Sequence, residues 1–295
     1  MTRQEGIRRF AALAILCIVI VATAFYFLYQ EDERLEVTFL DVGQGDAALI
    51  QTPHGKTILV DGGTSNTSVL RRLGEELPFW EKKIDLVMVS HPHDDHYGGL
   101  AAVFERYDVK AFMATDYPAH QSSYKELLEL VSDEPSTVIR PWSQDFQIDG
   151  VNFDLIFPES SMIDKKIGTA NDASIVFKLS YGDIDFLFTG DAEKPVEQQL
   201  VTNKAKLEAE VLKLGHHGSD TSSTEDFLNL VKPRYAIASA GKDNSYGHPT
   251  LLIVKRLERL GIKLFRTDQE GSISFFSNGV NLFKDGTCLI GCSSL

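Results

Sequence analysis

Between Ile84 and Gly99 the chain reads "IDLVMVSHPHDDHYGG". An apolar run of strand character ends abruptly in six residues, His91 to His96, that hold three of the protein's eight histidines and two aspartates. A strand so apolar is buried on both faces, so the fold must bring the end of a central strand to a surface or cleft where this much polarity can stand. His91 and His93 are two apart, which turns both to one side as the strand gives out, so that they can share one metal ion. Asp95 and His96 follow at once, placed to ligate a second. Imidazole with carboxylate suits zinc or manganese. The competing reading is a polar loop whose histidines cap a helix near Tyr97. Asp94, between ligand positions, is as consistent with a supporting or solvated role as with a direct one.

The rest of the chain falls into two similar halves. Short strand patterns open it, "LEVTFLDV", "DAALIQT" and "KTILVDGG", with Gly43, Gly45, Pro53 and Gly55 at the turns. A helical pattern over roughly Thr67–Leu77 precedes the histidine cluster. After it come a helix near Gly99–Arg106, the strand "VKAFMAT" and a helix near Ser122–Val131. A second strand block, "VNFDLIFP", "ASIVFKLS" and "DIDFLFTG", again gives way to alternation: "KPVEQQLVTN", "AEVLKLG", "TEDFLNLV", "RYAIASAG", "TLLIVKRLERL", then the strands "IKLFRT" and "SISFFS". Two meanders that each pass into alternating helix and strand predict an α/β fold, a four-layer αββα sandwich of two face-packed sheets with helices outside. Its site is expected along one edge, where strand ends from both halves meet.

Four further polar points sit at strand ends. Asp61 follows "ILV" and precedes two glycines; it can orient a ligating histidine by accepting its other ring N–H. Asp191, after "IDFLFTG", can bridge two metals. His216 and His217 follow "VLKLG", and His248 lies in a loop before a helix. Singly, each reads as a turn residue or cap. Together they read as the remainder of a site begun by the cluster.

The N-terminus is of another character. From Phe10 to Tyr29 run twenty uncharged, mostly apolar residues, enough to span a bilayer as a helix. Arg3, Arg8 and Arg9 precede them and Glu31, Asp32 and Glu33 follow, which by the positive-inside rule keeps the N-terminus cytoplasmic and exports the rest. Tyr26 and Tyr29 would lie at the far interface. A cleaved signal peptide ending near Ala22-Thr23-Ala24 is the rival, and the uninterrupted length favours the anchor. The expected organisation is therefore residues 1–30 as cytoplasmic stub and membrane anchor, and residues 31–295 as one catalytic domain outside the cytoplasm. Without residues 1–29, which hold three Arg and one Glu, 26 basic and 41 acidic side chains remain, a net of −15. So acidic a domain repels polyanions on average and needs local cations to bind one; Lys178, Lys213 and Lys242 are the candidates. Cys288 and Cys292, four apart near the C-terminus, can pair in an exported domain.

"HPHDDHYGG" matches the HxHxDH signature of the metallo-β-lactamase superfamily, with "VDGG", "FTGD" and a later histidine in order. More narrowly, "FLDVGQGDAALIQTPHGKTILVDGG", "NDASIV", "LFTGD", "LKLGHHGS" and "AIASAGKDNSYGHPT" resemble the metallo-β-lactamase-like domain of ComEC-type competence proteins, over nearly all of Leu35–Phe276. The resemblance implies that His91 and His93 hold one metal, that Asp95 and His96 hold the other, and that Asp191 bridges. It also implies one ligand from the His216/His217 pair, which sequence does not resolve; His216 is favoured. The wider superfamily supplies a third histidine to the first metal. Here the eligible stretch offers only His120, and the ComEC-like pattern places Asn171, a weaker ligand, in that position. In place of the large multi-span channel portion of the competence proteins, a single N-terminal anchor is expected.

These residues make the chain, in expectation, a membrane-anchored, exported hydrolase of phosphodiesters, DNA or another phosphate polymer. Two divalent ions, zinc or manganese, would activate a hydroxide. The catalytic step falls to Asp95, His248 and, with His216 as ligand, His217. The alternatives are a small-molecule hydrolase of lactonase or β-lactamase type and a non-catalytic nucleic-acid-binding accessory of DNA uptake. Protein partners are not specified by the sequence.

Overall fold

In a computed structural model the structure describes residues 3–28, 34–64, 66–118, 121–133, 136–142, 144–161 and 168–292. The chain divides into two units between Glu33 and Arg34. The first holds one helix, Arg3–Leu28. The side chains described on it, Gln4 and residues 12–23, are exposed. Among the described residues no helix is long and apolar enough to cross a membrane. The side chains of Arg8, Arg9, Tyr26 and Tyr29, and residues Glu31, Asp32 and Glu33, lie outside the described residues.

The second unit is built on two large sheets. The nine-stranded sheet runs, edge to edge, Thr287–Ile290, Leu282–Lys284, Ile273–Ser277, Leu35–Phe39, Ala48–Gln51, Thr57–Val60, Leu86–Val89, Ala111–Ala114 and Thr137–Ile139. The seven-stranded sheet runs Lys263–Arg266, Tyr235–Ala238, Val211–Lys213, Ile184–Phe188, Val176–Tyr181, Val151–Phe157 and Phe146–Ile148. In each, an antiparallel meander passes into parallel strands: from Thr57–Val60 onward in the first, from Ile184–Phe188 onward in the second.

Alternate residues of both sheets meet in the central core, where Phe39, Phe153, Phe177, Phe186, Phe188 and Phe275 are buried. The Phe177 and Phe188 rings stack at 4.7 Å. Such rings each bury about 150–250 Å² and dominate a core of this kind. The opposite faces pack under helices. Asn66–Glu76, Leu100–Arg106 and Ser122–Asp133 cover the first sheet; Lys194–Thr202, Glu225–Val231 and Leu251–Leu260 cover the second. The helices are short and locally signalled. Thr224 caps Glu225–Val231 by accepting from the Phe227 amide, and Leu251–Leu260 buries Ile253 and Leu257, four apart, then stops at Gly261 in the left-handed region. The four layers are those the alternation predicts. The sequence reading does not include the strands Thr137–Ile139, Phe146–Ile148, Leu282–Lys284 and Thr287–Ile290. Each is three or four residues long and near an edge, too short to show a period.

The parallel arrangement positions the site. Asp61, His91, Asp191, the His216–His217 turn and His248 all follow the carboxyl ends of parallel strands. Ligands of α/β sheets gather outside those ends.

Candidate metal centre

Three tight turns converge on one buried cluster. In the first, Asp61 adopts φ 62°, a left-handed conformation that short polar residues tolerate, and Gly62 lies so close to Leu100 that a Cβ would sit 2.7 Å from its Cδ2. The Asp61 carboxylate accepts from Ser90 N and Ser90 Oγ, both at 2.7 Å, and from His96 Nδ1 at 2.9 Å. The contact at Nδ1 turns Nε2 of the ring toward the cluster. The second turn is the short helix Asp94–Tyr97. Asp94 accepts from the Tyr97 hydroxyl, which holds it off the cluster.

In the third turn, His216 and His217 both have positive φ, 48° and 53°. Two left-handed residues in succession send neighbouring side chains apart. His217 turns inward: its Nε2 lies 3.1 Å from Asp95 Oδ2 and 3.5 Å from Asp191 Oδ2. His216 turns outward, with Nδ1 3.0 Å from Glu193 Oε1 and 3.0 Å from Thr221 Oγ1. His217 joins the cluster and His216, the member of the pair favoured from sequence, lies beside it. Strain of this kind collects at functional sites.

The distances have a pattern. Around Asp191 Oδ2 stand His96 Nε2 at 3.3 Å, His217 Nε2 at 3.5 Å and His91 Nε2 at 3.8 Å. Asp95 Oδ1 is 3.9 Å from His96 Nε2, and His93 Nδ1 is 3.0 Å from His91 Nε2. A tetrahedral ion with ligands at about 2.0–2.1 Å has ligand–ligand edges of about 3.3 Å. Two donor groups emerge, His96, Asp95 and His217 in one and His91 and His93 in the other, with Asp191 common to both. Among the described residues His96 Nε2 and Asp191 Oδ1 are buried with no hydrogen-bond partner. Buried polar atoms of this kind require a partner, and a divalent cation fits the donor set.

Asp46, His96, Asp191 and His217 form a buried quartet with one atom apiece inside 4.8 Å of the others. Asp46 was not among the residues singled out from sequence. Its two oxygens are committed, Oδ1 to His217 Nδ1 at 3.0 Å and Oδ2 to Lys213 Nζ at 2.6 Å. It stands to His217 as Asp61 stands to His96, behind the ring rather than in front of it. The signal for it is the pair Gly43 and Gly45 just upstream: Gly45, at φ 107°, approaches so closely that a Cβ would lie 2.1 Å from the Asp95 carbonyl oxygen.

Charge follows the geometry. Burial depresses the His217 pKa, but the Asp191 and Asp46 carboxylates outweigh it and lift the ring to about 10. His96 rises well above the ordinary histidine value for the same reason, with burial opposed by Asp191 and Asp61. Burial and the neighbouring His96 hold His91 well below it. Against burial, Lys213 and His217 lower Asp46 to about 2. The cluster thus stores positive charge on two rings that a cation would replace.

Of the remaining predicted residues, Asn171 donates its amide to Glu193 Oε1 at 3.3 Å, while its Oδ1 is buried without a partner among the described residues. Asp172 beside it also keeps one such oxygen. Their turn lies against the cluster strand, since Ile175 N donates to Ser90 O at 2.9 Å. His120 lies outside the described residues. The His248 ring lies near the pair, edge-on at 5.5 Å from the His216 ring and tilted at 6.4 Å from His217, with Nδ1 buried and without a hydrogen-bond partner among the described residues. Lys213 is 4% exposed and bound to Asp46, so it is not a cation at the mouth, as sequence had suggested. Lys178 lies 3.7 Å from Asp185. Lys242 is exposed.

The metallo-beta-lactamase superfamily model matches residues 40–242, more than half of the chain, and the protein belongs to that superfamily. Within it, the chain is similar to competence proteins. It is 30% identical over 287 residues to ComE operon protein 3 of Bacillus subtilis, covering 91% of this chain and 36% of that one. It is 34% identical over 248 residues to competence protein ComA of Neisseria gonorrhoeae, covering 83% and 32%. The chain thus spans about a third of these relatives' length. Among solved structures it resembles the metallo-beta-lactamase fold protein YhfI of Bacillus subtilis, with a TM-score of 0.59 and 12% identity over 83% of this chain and 100% of that one. That likeness is one of fold.

Proposed function

We propose that the chain is a metal-dependent phosphodiesterase acting on nucleic acid in DNA uptake, with residues 1–30 a cytoplasmic stub and membrane anchor, a reading that rests on the uncharged run Phe10–Tyr29, and residues 31–295 outside the cytoplasm. The observation that carries the activity is the pair of donor groups sharing Asp191 Oδ2. His91 and His93 would hold one divalent ion, Asp95, His96 and His217 the second, with Asp191 between them and the Asn171 amide oxygen completing the first. Zinc or manganese in such a pair supplies an activated water nucleophile and neutralises charge on a phosphate. The chain's own residues do the rest. Asp61 and Asp46 fix the tautomers and aim of His96 and His217. Burial, with His216 and His217 nearby, lowers the His248 pKa, which favours the neutral ring, and that ring can donate an N–H hydrogen bond to a phosphate or leaving-group oxygen.

The similarity to competence proteins supports a nucleic-acid substrate. The Cys288–Cys292 disulfide supports an oxidising compartment for the domain. The test takes the purified full chain, its metal content, and hydrolysis of single-stranded DNA, bis-p-nitrophenyl phosphate, p-nitrophenyl phosphorylcholine and nitrocefin with zinc and with manganese. Phosphodiester hydrolysis that falls at least 100-fold in Asp95→Ala and Asp191→Ala is expected. Unchanged rates in both variants would sink the two-metal reading, and nitrocefin hydrolysis alone would replace the substrate. For location, a reporter active only outside the cytoplasm, fused after Leu295, should be active; activity of a cytoplasm-only reporter there would reverse it.

A further inference from the structure

The loop from Gly241 to Thr250 is locked against the cluster. Gly241 donates to Gln44 Oε1 at 3.3 Å, and a Cβ there would sit 2.9 Å from the Gln44 nitrogen. The Asn244 side chain closes the loop on itself, accepting from His248 N at 2.9 Å and donating to Gly241 O at 3.0 Å and His248 O at 2.7 Å. Thr250 N ties its end to Gly218 O at 3.0 Å, next to the His216–His217 turn. From this frame a file of rings leads outward: His217, then His248 at 6.4 Å, then Tyr246, stacked on His248 at 5.8 Å with 24° between the planes. Tyr246 is 68% exposed.

We propose that the outer face of Tyr246 is a stacking platform for a nucleobase beside the scissile phosphate, so that the substrate of this centre is a base-bearing single strand. The inference rests on the phosphodiesterase reading above. An aromatic ring whose inner face is covered and whose loop is already fixed loses little freedom when a second flat ring lands on it. Successive bases of single strands bind proteins in this way, without sequence preference, because every base has a π-face. A duplex has its base faces occupied by neighbours and cannot use such a surface. A quaternary ammonium, the other common guest of tyrosine, is held by a cage of aromatic faces; here one ring offers one open face, beside a histidine rather than a second tyrosine. Exposed Lys242 on the same loop supplies a cation for the backbone in an otherwise acidic domain.

The full-length chain, Tyr246→Ala and Tyr246→Trp are compared on a single-stranded oligonucleotide and on a strand of equal length made of abasic residues. Tyr246→Ala should raise KM for the normal strand about tenfold or more with kcat within about twofold, leave the abasic strand unaffected, and be rescued by Tyr246→Trp. Equal effects on the two strands, or none on either, would overturn the platform. If the wild type hydrolyses neither strand nor bis-p-nitrophenyl phosphate, the phosphodiesterase reading fails separately. Fluorescence anisotropy with the same strands then decides the platform, which demands weaker binding of the normal strand alone by Tyr246→Ala.

Discussion

Replacing Lys213 by methionine removes a buried charge while keeping most of the side-chain volume, and it tests how the centre is held. Lys213 Nζ lies 2.6 Å from Asp46 Oδ2 and 3.0 Å from Leu214 O, and Lys213 and Asp46 are 4% and 5% exposed. The variant leaves a buried carboxylate with only the His217 ring. Breaking one side of a buried pair costs about 3–5 kcal/mol. At about 2–4 °C per kcal/mol for a domain of this size, the lower figure alone is a fall of roughly 6–12 °C in Tm. Removing the other charge should restore much of it: in Asp46→Asn/Lys213→Met no carboxylate is stranded, and the asparagine oxygen still accepts from His217 Nδ1. Thermal melts of wild type, both single variants and the double variant form a cycle, with a coupling of about 2 kcal/mol expected between groups in contact. A Lys213→Met shift below about 2 °C, or additive losses in the double variant, would refute the view that Lys213 balances Asp46.

His217→Ala should lose bound metal and at least 100-fold in hydrolysis, while His216→Ala, whose ring lies on Glu193 and Thr221, stays within about tenfold; the reverse order would restore His216 as the ligand. In the metal-free chain the His217 pKa is raised to about 10 from an ordinary 6.5, so its contribution to stability is complete below pH 6.5 and is lost as pH climbs through 10. Metal binding near pH 7 must then expel that proton, and affinity should rise with pH. Calorimetric titration in two buffers of different ionisation heat reads the release, and identical heats would contradict it. Gly45→Ala drives a Cβ to 2.1 Å from the Asp95 carbonyl oxygen and should cost about 1–3 kcal/mol with loss of bound metal, measured by urea denaturation and metal analysis.

The legible part of the site was the part compressed into one stretch of chain. His91, His93, Asp95 and His96 span six residues on a strand end and a single helical turn, so spacing alone sets which of them can converge. Asp61 was legible through its glycines. The His216/His217 choice was not, because φ at two successive left-handed residues decides which ring faces inward. Asp46 escaped because its partner His217 lies 171 positions away. Lys213 was misplaced for a related reason: the end of a parallel strand reads the same whether its side chain meets solvent or a carboxylate from the other half.

Periodicity and residue chemistry are local, so the order of the longer strands and helices, the two halves and the chemical types of the donors can be read along the chain. The second half of the centre depends on contacts between distant segments: Asp191 Oδ2 stands within 3.8 Å of His91, His96 and His217 at once, and Lys213 and Asp46 brace His217 from behind its ring. Those contacts form when two sheets pack face to face and bring the carboxyl ends of their parallel strands together, and that packing is driven by the phenylalanine core between the sheets, not by the residues of the site.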